Sequence, residues 1–162
     1  MTVLPQTFIR VSSEPFSVEE AYRMTADSQQ DGAVVLFIGK VRDLNLGETV
    51  QHLTLEHYPG MTERSLQAIA EQARSRFAVN TITIIHRVGT FALGEEIVLV
   101  AASAVHRHAA FMAAEFMMDM LKTQAPFWKR EVTNKGAQWL SPSPQDDIAP
   151  QKWINFNKDE ST

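Results

Sequence analysis

Residues 121–133 read LKTQAPFWKREVT, with two lysines, Lys122 and Lys129, bracketing Pro126, Phe127 and Trp128. An ammonium held near a second cation and against apolar walls gives up its proton more readily. It can then serve as acid, base or nucleophile near neutral pH. Plainer readings stand beside this one. A lysine in the last turn of a helix complements the helix dipole, worth about 0.3–1 kcal/mol. Lys129 and Arg130, adjacent on a strand, point to opposite faces and can guard a solvated edge. What favours chemistry is the short connection, which lets Lys122 and Lys129 face one cleft with Phe127 and Trp128 as its walls.

Two further clusters add to the set. His106, Arg107 and His108 fall where a strand gives way to a helix. Free backbone N–H groups at a helix start bind anions, and cations placed there cost stability unless an anion neutralises them. A metal is disfavoured: His106 and His108 share a face on a strand but not on a helix, and no HExxH pattern accompanies them. Gly39-Lys40-Val41-Arg42 closes an apolar run, and loops after sheet strands often carry binding residues. Lys40, Arg42, His106, Arg107, Lys122, Lys129 and Arg130 together form a cationic set in a chain of formal charge −4. They suit a small anionic ligand, a phosphate above all, with a ring to lie on the aromatics.

The elements that must position these residues follow from periodicity. Strands are expected at 8–11, 32–40, 50–58, 81–88 and 95–104, with a hairpin of 127–133 and 137–140 around 134–136. Ser17 and Glu20 have capping-box spacing and start a helix running to about 26. Leu66, Ile69, Ala70, Ala73 and Phe77 recur at helical spacing over 62–77. A second long helix covers 106–123, stopped because Pro126 pushes Ala125 out of helical geometry. Residues 41–49 and 89–94 read as loops. The mixture lacks the strict alternation of a doubly wound sheet and predicts one α+β domain with a largely antiparallel sheet. Residues 1–140 make that domain. The Pro- and Ser-rich 141–162 is a loose tail in which Trp153, Ile154 and Phe156 could dock.

Composition narrows the classes. With 162 residues and 44% hydrophobic content, one core is affordable and two are not. The chain has no cysteine, which excludes disulfides, thiolate metal sites and a cysteine nucleophile. The acidic balance argues against nucleic acid. No apolar stretch has membrane-spanning length and the N-terminus lacks a secretory pattern, so a soluble, cytoplasmic protein without membrane contact is expected.

Five stretches carry a resemblance: GKVR at 39–42, LEHYPGMTE at 55–63, IHRVG at 85–89, AVHR at 104–107 and LKTQAPFWKRE at 121–131. From about 16 to 139 the chain resembles the large, catalytic subunit of molybdopterin synthase. The resemblance implies an α/β hammerhead with an added antiparallel sheet and no cofactor. It implies a sulfurtransferase that converts cyclic pyranopterin monophosphate, precursor Z, into the dithiolene of molybdopterin. Sulfur would arrive as a thiocarboxylate on the C-terminal Gly-Gly of a small ubiquitin-like subunit, in a heterotetramer built on a homodimer of the large chain. A sulfur-transfer enzyme without cysteine must receive its sulfur from elsewhere, which agrees. Carried over by motif, Lys122 and Lys129 are catalytic. Lys40, Val41, Arg42, His106, Arg107, Arg130 and Glu131 line the substrate pocket with them, and Phe37 meets the carrier's tail or packs in its strand. Some relatives place an Arg shortly after the Trp matching Trp139, reaching the neighbouring subunit's pocket. Here 140–143 read Leu-Ser-Pro-Ser, with no cation. A partner-independent pterin- or nucleotide-binding module is the alternative. A phosphoesterase ranks last, having neither metal set nor obvious nucleophile.

Overall fold

A computed structural model describes residues 4–45, 48–140 and 148–154. The nearly uncharged runs form β5 (Val79–Arg87) and β7 (Glu96–Ala104), an antiparallel pair at the centre of a four-stranded sheet. Strand β1 (Thr7–Ser12) pairs parallel to β5, and β2 (Ala33–Lys40) pairs antiparallel to β7, giving the order β1-β5-β7-β2. Both faces are covered, which is why the central strands are apolar throughout rather than alternating. Val98, Val100, Ala102 and Ala104 of β7 pack with helices α2 (Met61–Arg76) and α3 (Arg107–Gln124). Leu99 and Ala101 join Ala21 of α1 (Val18–Thr25) on the other side. Ser17 caps α1 as expected, its Oγ accepting from the Glu20 N–H at 3.2 Å.

A second, antiparallel sheet is centred on β4 (Glu48–His57). Strand β8 (Phe127–Thr133) lies along one side of β4, followed by β9 (Gly136–Leu140). On its other side β4 pairs with β6 (Gly89–Ala92) and, at its start, with β3 (Leu44–Asn45). The α+β class and the added antiparallel sheet are thus as expected. Residues 89–94 were expected to be all loop, yet four of them supply β6 because β4 offers an edge for them to pair with. The same holds for β3 within 41–49.

The connections set the geometry of the site. Strands β2 and β5 both run from the Ala104 end of β7 toward its Glu96 end, as their registers show. Two residues separate β7 from helix α3, which packs on β7 and β2 and so runs back the same way. All three therefore deliver the chain into the second sheet at one end of the first. Arg87 pins this joint. Its Nη1 donates to the Glu96 carbonyl at 3.0 Å, its Nη2 to the Ser13 carbonyl at 3.3 Å, and its guanidinium lies over Phe91 at 4.7 Å.

Of the tail, residues 141–147 and 155–162, including Phe156, lie outside the described residues. Trp153, at the end of a short 3-10 helix (Ala149–Trp153), docks fully, edge-on to Phe77 and Phe116, with its Nε1 donating to Asp119 Oδ2 at 2.7 Å. Ile154 beside it is exposed.

Candidate functional site

The first segment is the exit of β2. The ladder slips between Gly39, paired with Val98, and Lys40, paired with Glu96. A Cβ on Gly39 would stand 2.5 Å from Val98 Cγ1, so glycine lets the strands close at this bulge. Next, Val41 N–H donates to the Glu95 carbonyl at 2.9 Å, and Val41 O accepts from the Gly94 N–H at 2.7 Å. The Val41 side chain is buried with Leu53, Leu55 and Phe91. The Val41 side chain, expected at the pocket, is an anchor that leaves Lys40 and Arg42 exposed on either side of it.

The second segment is the turn from α3 into β8. Lys122 is exposed in the last helical turn. Ala125 is extended (φ −83°, ψ 131°), as the following proline requires. This turn is held by the start of α2. Buried Thr62 donates its Oγ1 hydrogen to the Pro126 carbonyl at 3.3 Å and accepts from the Tyr58 N–H at 3.2 Å. Tyr58 and Trp128 meet edge-on at 4.1 Å, and His57 and Glu56 pair with Phe127 and Trp128 across β4 and β8. The two most distinctive sequence stretches, 55–63 and 121–131, are therefore one structural unit.

The third segment is β8 itself. Its residues alternate: Phe127, Lys129, Glu131 and Thr133 take the more buried face, Trp128 and Arg130 the exposed one. Arg130 lies over the Trp139 ring at 5.9 Å. It is thus on the opposite face of the strand from Lys129 and does not share that side chain's wall, because period-two alternation separates neighbours. Glu131, buried, does share it.

The structure also separates one pair that the sequence reading joined. His106 caps the start of α3 and Arg107 begins it, both exposed, with no acidic residue in the first turn. Arg107 and Lys122 stand 15 positions apart on one straight element, about 22 Å at 1.5 Å per residue. Within one chain, His106 and Arg107 therefore lie at the far end of the sheet from Lys40, Arg42, Lys122 and Lys129. Phe37 is half exposed on the edge strand β2.

One neighbour of Lys129 was missed. His86, buried at the end of β5, stacks on Phe127 with ring centroids 3.9 Å apart and 23° between planes. Burial lowers its pKa from 6.5 to about 4; the charges of Lys129 and His57 push the same way, against the hydrogen bond to the Arg87 carbonyl. A lone histidine closing the apolar run TITIIHRV was the available signal.

A groove of about 390 Å³ between β1 and α1 is lined by Phe8, Ile9, Arg10, Glu20 and Met24 and contains none of these lysines. With a single arginine and a glutamate to balance it, it lacks the convergent positive charge that marks the other end. Among the described residues, no three His, Asp or Glu are grouped to hold a metal ion.

Comparison with known proteins gives consistent matches. The sequence model of the family described as MoaE protein matches residues 11–124. The molybdopterin synthase catalytic subunit of Yersinia pestis is 51% identical over 151 residues, covering 93% of this chain and all of that one. The Escherichia coli (strain K12) protein of the same name is 49% identical over 150 residues, with 93% and 100% covered. Among solved structures, a molybdopterin biosynthesis MoaE protein from Burkholderia ambifaria superposes with a TM-score of 0.77 at 42% identity, covering 91% of this chain and 97% of the other.

Proposed function

This chain belongs to the MoaE protein family, and on that premise we propose that it is the catalytic subunit of a molybdopterin synthase. It takes sulfur from the C-terminal Gly-Gly thiocarboxylate of a small ubiquitin-like carrier and installs two sulfurs on cyclic pyranopterin monophosphate, forming the dithiolene of molybdopterin. The observation that carries this reading is the delivery, to one end of the four-stranded sheet, of three cation-bearing segments of a net-acidic chain: the Lys40–Arg42 exit of β2, the last turn of α3 with Lys122, and the inner face of β8 with Lys129.

Matched motif and position together support the following roles. Lys40 and Arg42, projecting around the Val41 anchor, take the cyclic phosphate by charge-assisted hydrogen bonds. Lys122 moves protons on the intermediates and approaches the carrier's C-terminal carbonyl. Lys129 assists it and holds the anion, with Glu131 on the same wall. Phe37 packs against the Gly-Gly tail. His106 and Arg107, too far from Lys122 in their own chain, complete the pocket of a second copy, in a heterotetramer built on a homodimer. Residues 1–140 are the catalytic domain, acting in the cytoplasm; none of the described helices is long and apolar enough to cross a membrane.

Reconstitution with precursor and thiocarboxylated carrier tests the assignment. Exposed Lys122→Ala keeps the fold and loses about a hundredfold or more in turnover; near-wild-type conversion would refute the role of Lys122. Mixing Lys122→Ala chains with chains carrying both His106→Ala and Arg107→Ala tests the shared pocket. Each mixed dimer then holds one complete site and regains about half of wild-type activity. No recovery would place the pocket within one chain.

A further inference from the structure

The charges of Lys129 and His57 both act on buried His86, and neither histidine has a part in the proposed chemistry. We propose that His86 is a positioning residue for Lys129: its stack on Phe127 fixes the start of β8, and its uncharged imidazole gives the Lys129 ammonium a polar neighbour that carries no competing charge. This rests on Lys129 belonging to the site.

Three observations support it. The ring plane lies almost flat on Phe127, two residues before Lys129 and on the same face of the strand, so the stack sets where that face stands. The Nδ1 atom is 2.8 Å from the Arg87 carbonyl oxygen. A carbonyl only accepts, so Nδ1 carries the hydrogen and Nε2 of the neutral ring keeps its lone pair. Finally, the groups that face the imidazole disfavour a second positive charge there. Lys129 from β8 and His57 from β4 both oppose its protonation, and its burial does so most of all. Among the described contacts, the one carboxylate paired with these histidines is Glu63 of α2, which lies 3.8 Å from His57 rather than from His86. Coupling between protonation sites is reciprocal. A charged His86 would drive Lys129 toward losing its proton; a neutral one leaves Lys129 free to hold it.

The test follows the Lys129 Cε and Hε signals by NMR as pH is raised, in the wild type and in His86→Phe. Phenylalanine keeps a flat ring against Phe127 but supplies no polar atom. The Lys129 titration is expected to move to lower pH, since an apolar neighbour disfavours the ammonium. The value of kcat for dithiolene formation is expected to fall about tenfold with KM for the precursor nearly unchanged. His86→Gln, with an uncharged amide of similar reach, should recover most of the titration. An unmoved Lys129 titration in folded His86→Phe overturns the proposal. If that variant does not fold, the wild-type imidazole decides. Its nitrogen signals should show the neutral Nδ1–H form from about pH 5 to 9, and protonation within that range overturns the proposal equally. A wild-type chain that makes no dithiolene sinks the functional reading, while the NMR titrations stand apart from turnover.

Discussion

Along β7, every residue from Val98 to Ala104 is buried, and all but Ser103 are apolar. Along β8, only Glu131 and Thr133 are buried, and both are polar. The two strands sit in sheets joined at one end, and they divide the work. Each apolar side chain of β7 is removed from water against a helix, contributing about 25 cal/mol per Å² of area covered. The inner face of β8 is stabilised much less by burial. It is held in place by cross-strand pairing, by Thr62 at the Pro126 turn and by the ring of His86. A segment built this way can carry a half-buried lysine because the stability of the fold is generated elsewhere.

The sharpest way to break the comparison is in the core. Phe116 of α3 has no exposed surface and meets both Phe77 and Trp153 edge-on, at 5.6 and 5.4 Å, with the Arg76 guanidinium 5.1 Å above it. Phe116→Ala should cost about 3–5 kcal/mol, seen as a fall of about 10 °C or more in Tm. Lys122→Ala, on the exposed side of the same helix, should move Tm by no more than a few degrees while removing turnover. If Phe116→Ala melted close to wild type, or Lys122→Ala melted far below it, stability and function would not be separated as described.

How far the sequence revealed this division varies by region. Strands β5 and β7 and helices α2 and α3 were legible because apolar periodicity is a local signal. The stop at Ala125 was legible because proline acts on its neighbour. The opposite facing of Lys129 and Arg130 was legible too, since alternation needs nothing but a strand. Strand β6 was not: GTFA has no periodicity of its own, and its pairing is decided by β4, more than thirty positions away. Nor was the place where Trp153 docks, which depends on a slot between Phe77 and Phe116 that no local pattern encodes. The separation of His106 from Lys122 within one chain was hidden for a different reason. Both flank a helix that sequence read correctly, but its length holds its two ends apart. His86 was overlooked because residue type alone does not distinguish a surface histidine from one buried under a strand of the candidate site.

The smallest expected effect is also the one that ties both regions together, since His86 ends a core strand and touches a site strand. Folded, its imidazole takes a proton only near pH 4; unfolded, it does so near 6.5. Between those values the unfolded chain binds more protons than the folded one, so stability rises with pH. The contribution is full above about pH 6.5 and is lost as the pH falls toward about 4, by up to about 3 kcal/mol at 1.36 kcal/mol per pH unit. Carboxylates also titrate in the lower part of that window, so the wild-type curve alone does not isolate the histidine. The difference does. Urea midpoints measured at about pH 7, 5.5 and 4.5 should fall more steeply for the wild type than for His86→Phe, which has no proton to take up on unfolding. Parallel curves would mean that His86 is charged or solvated in the folded state, and β8 would then lose the neutral ring on which its inner face depends.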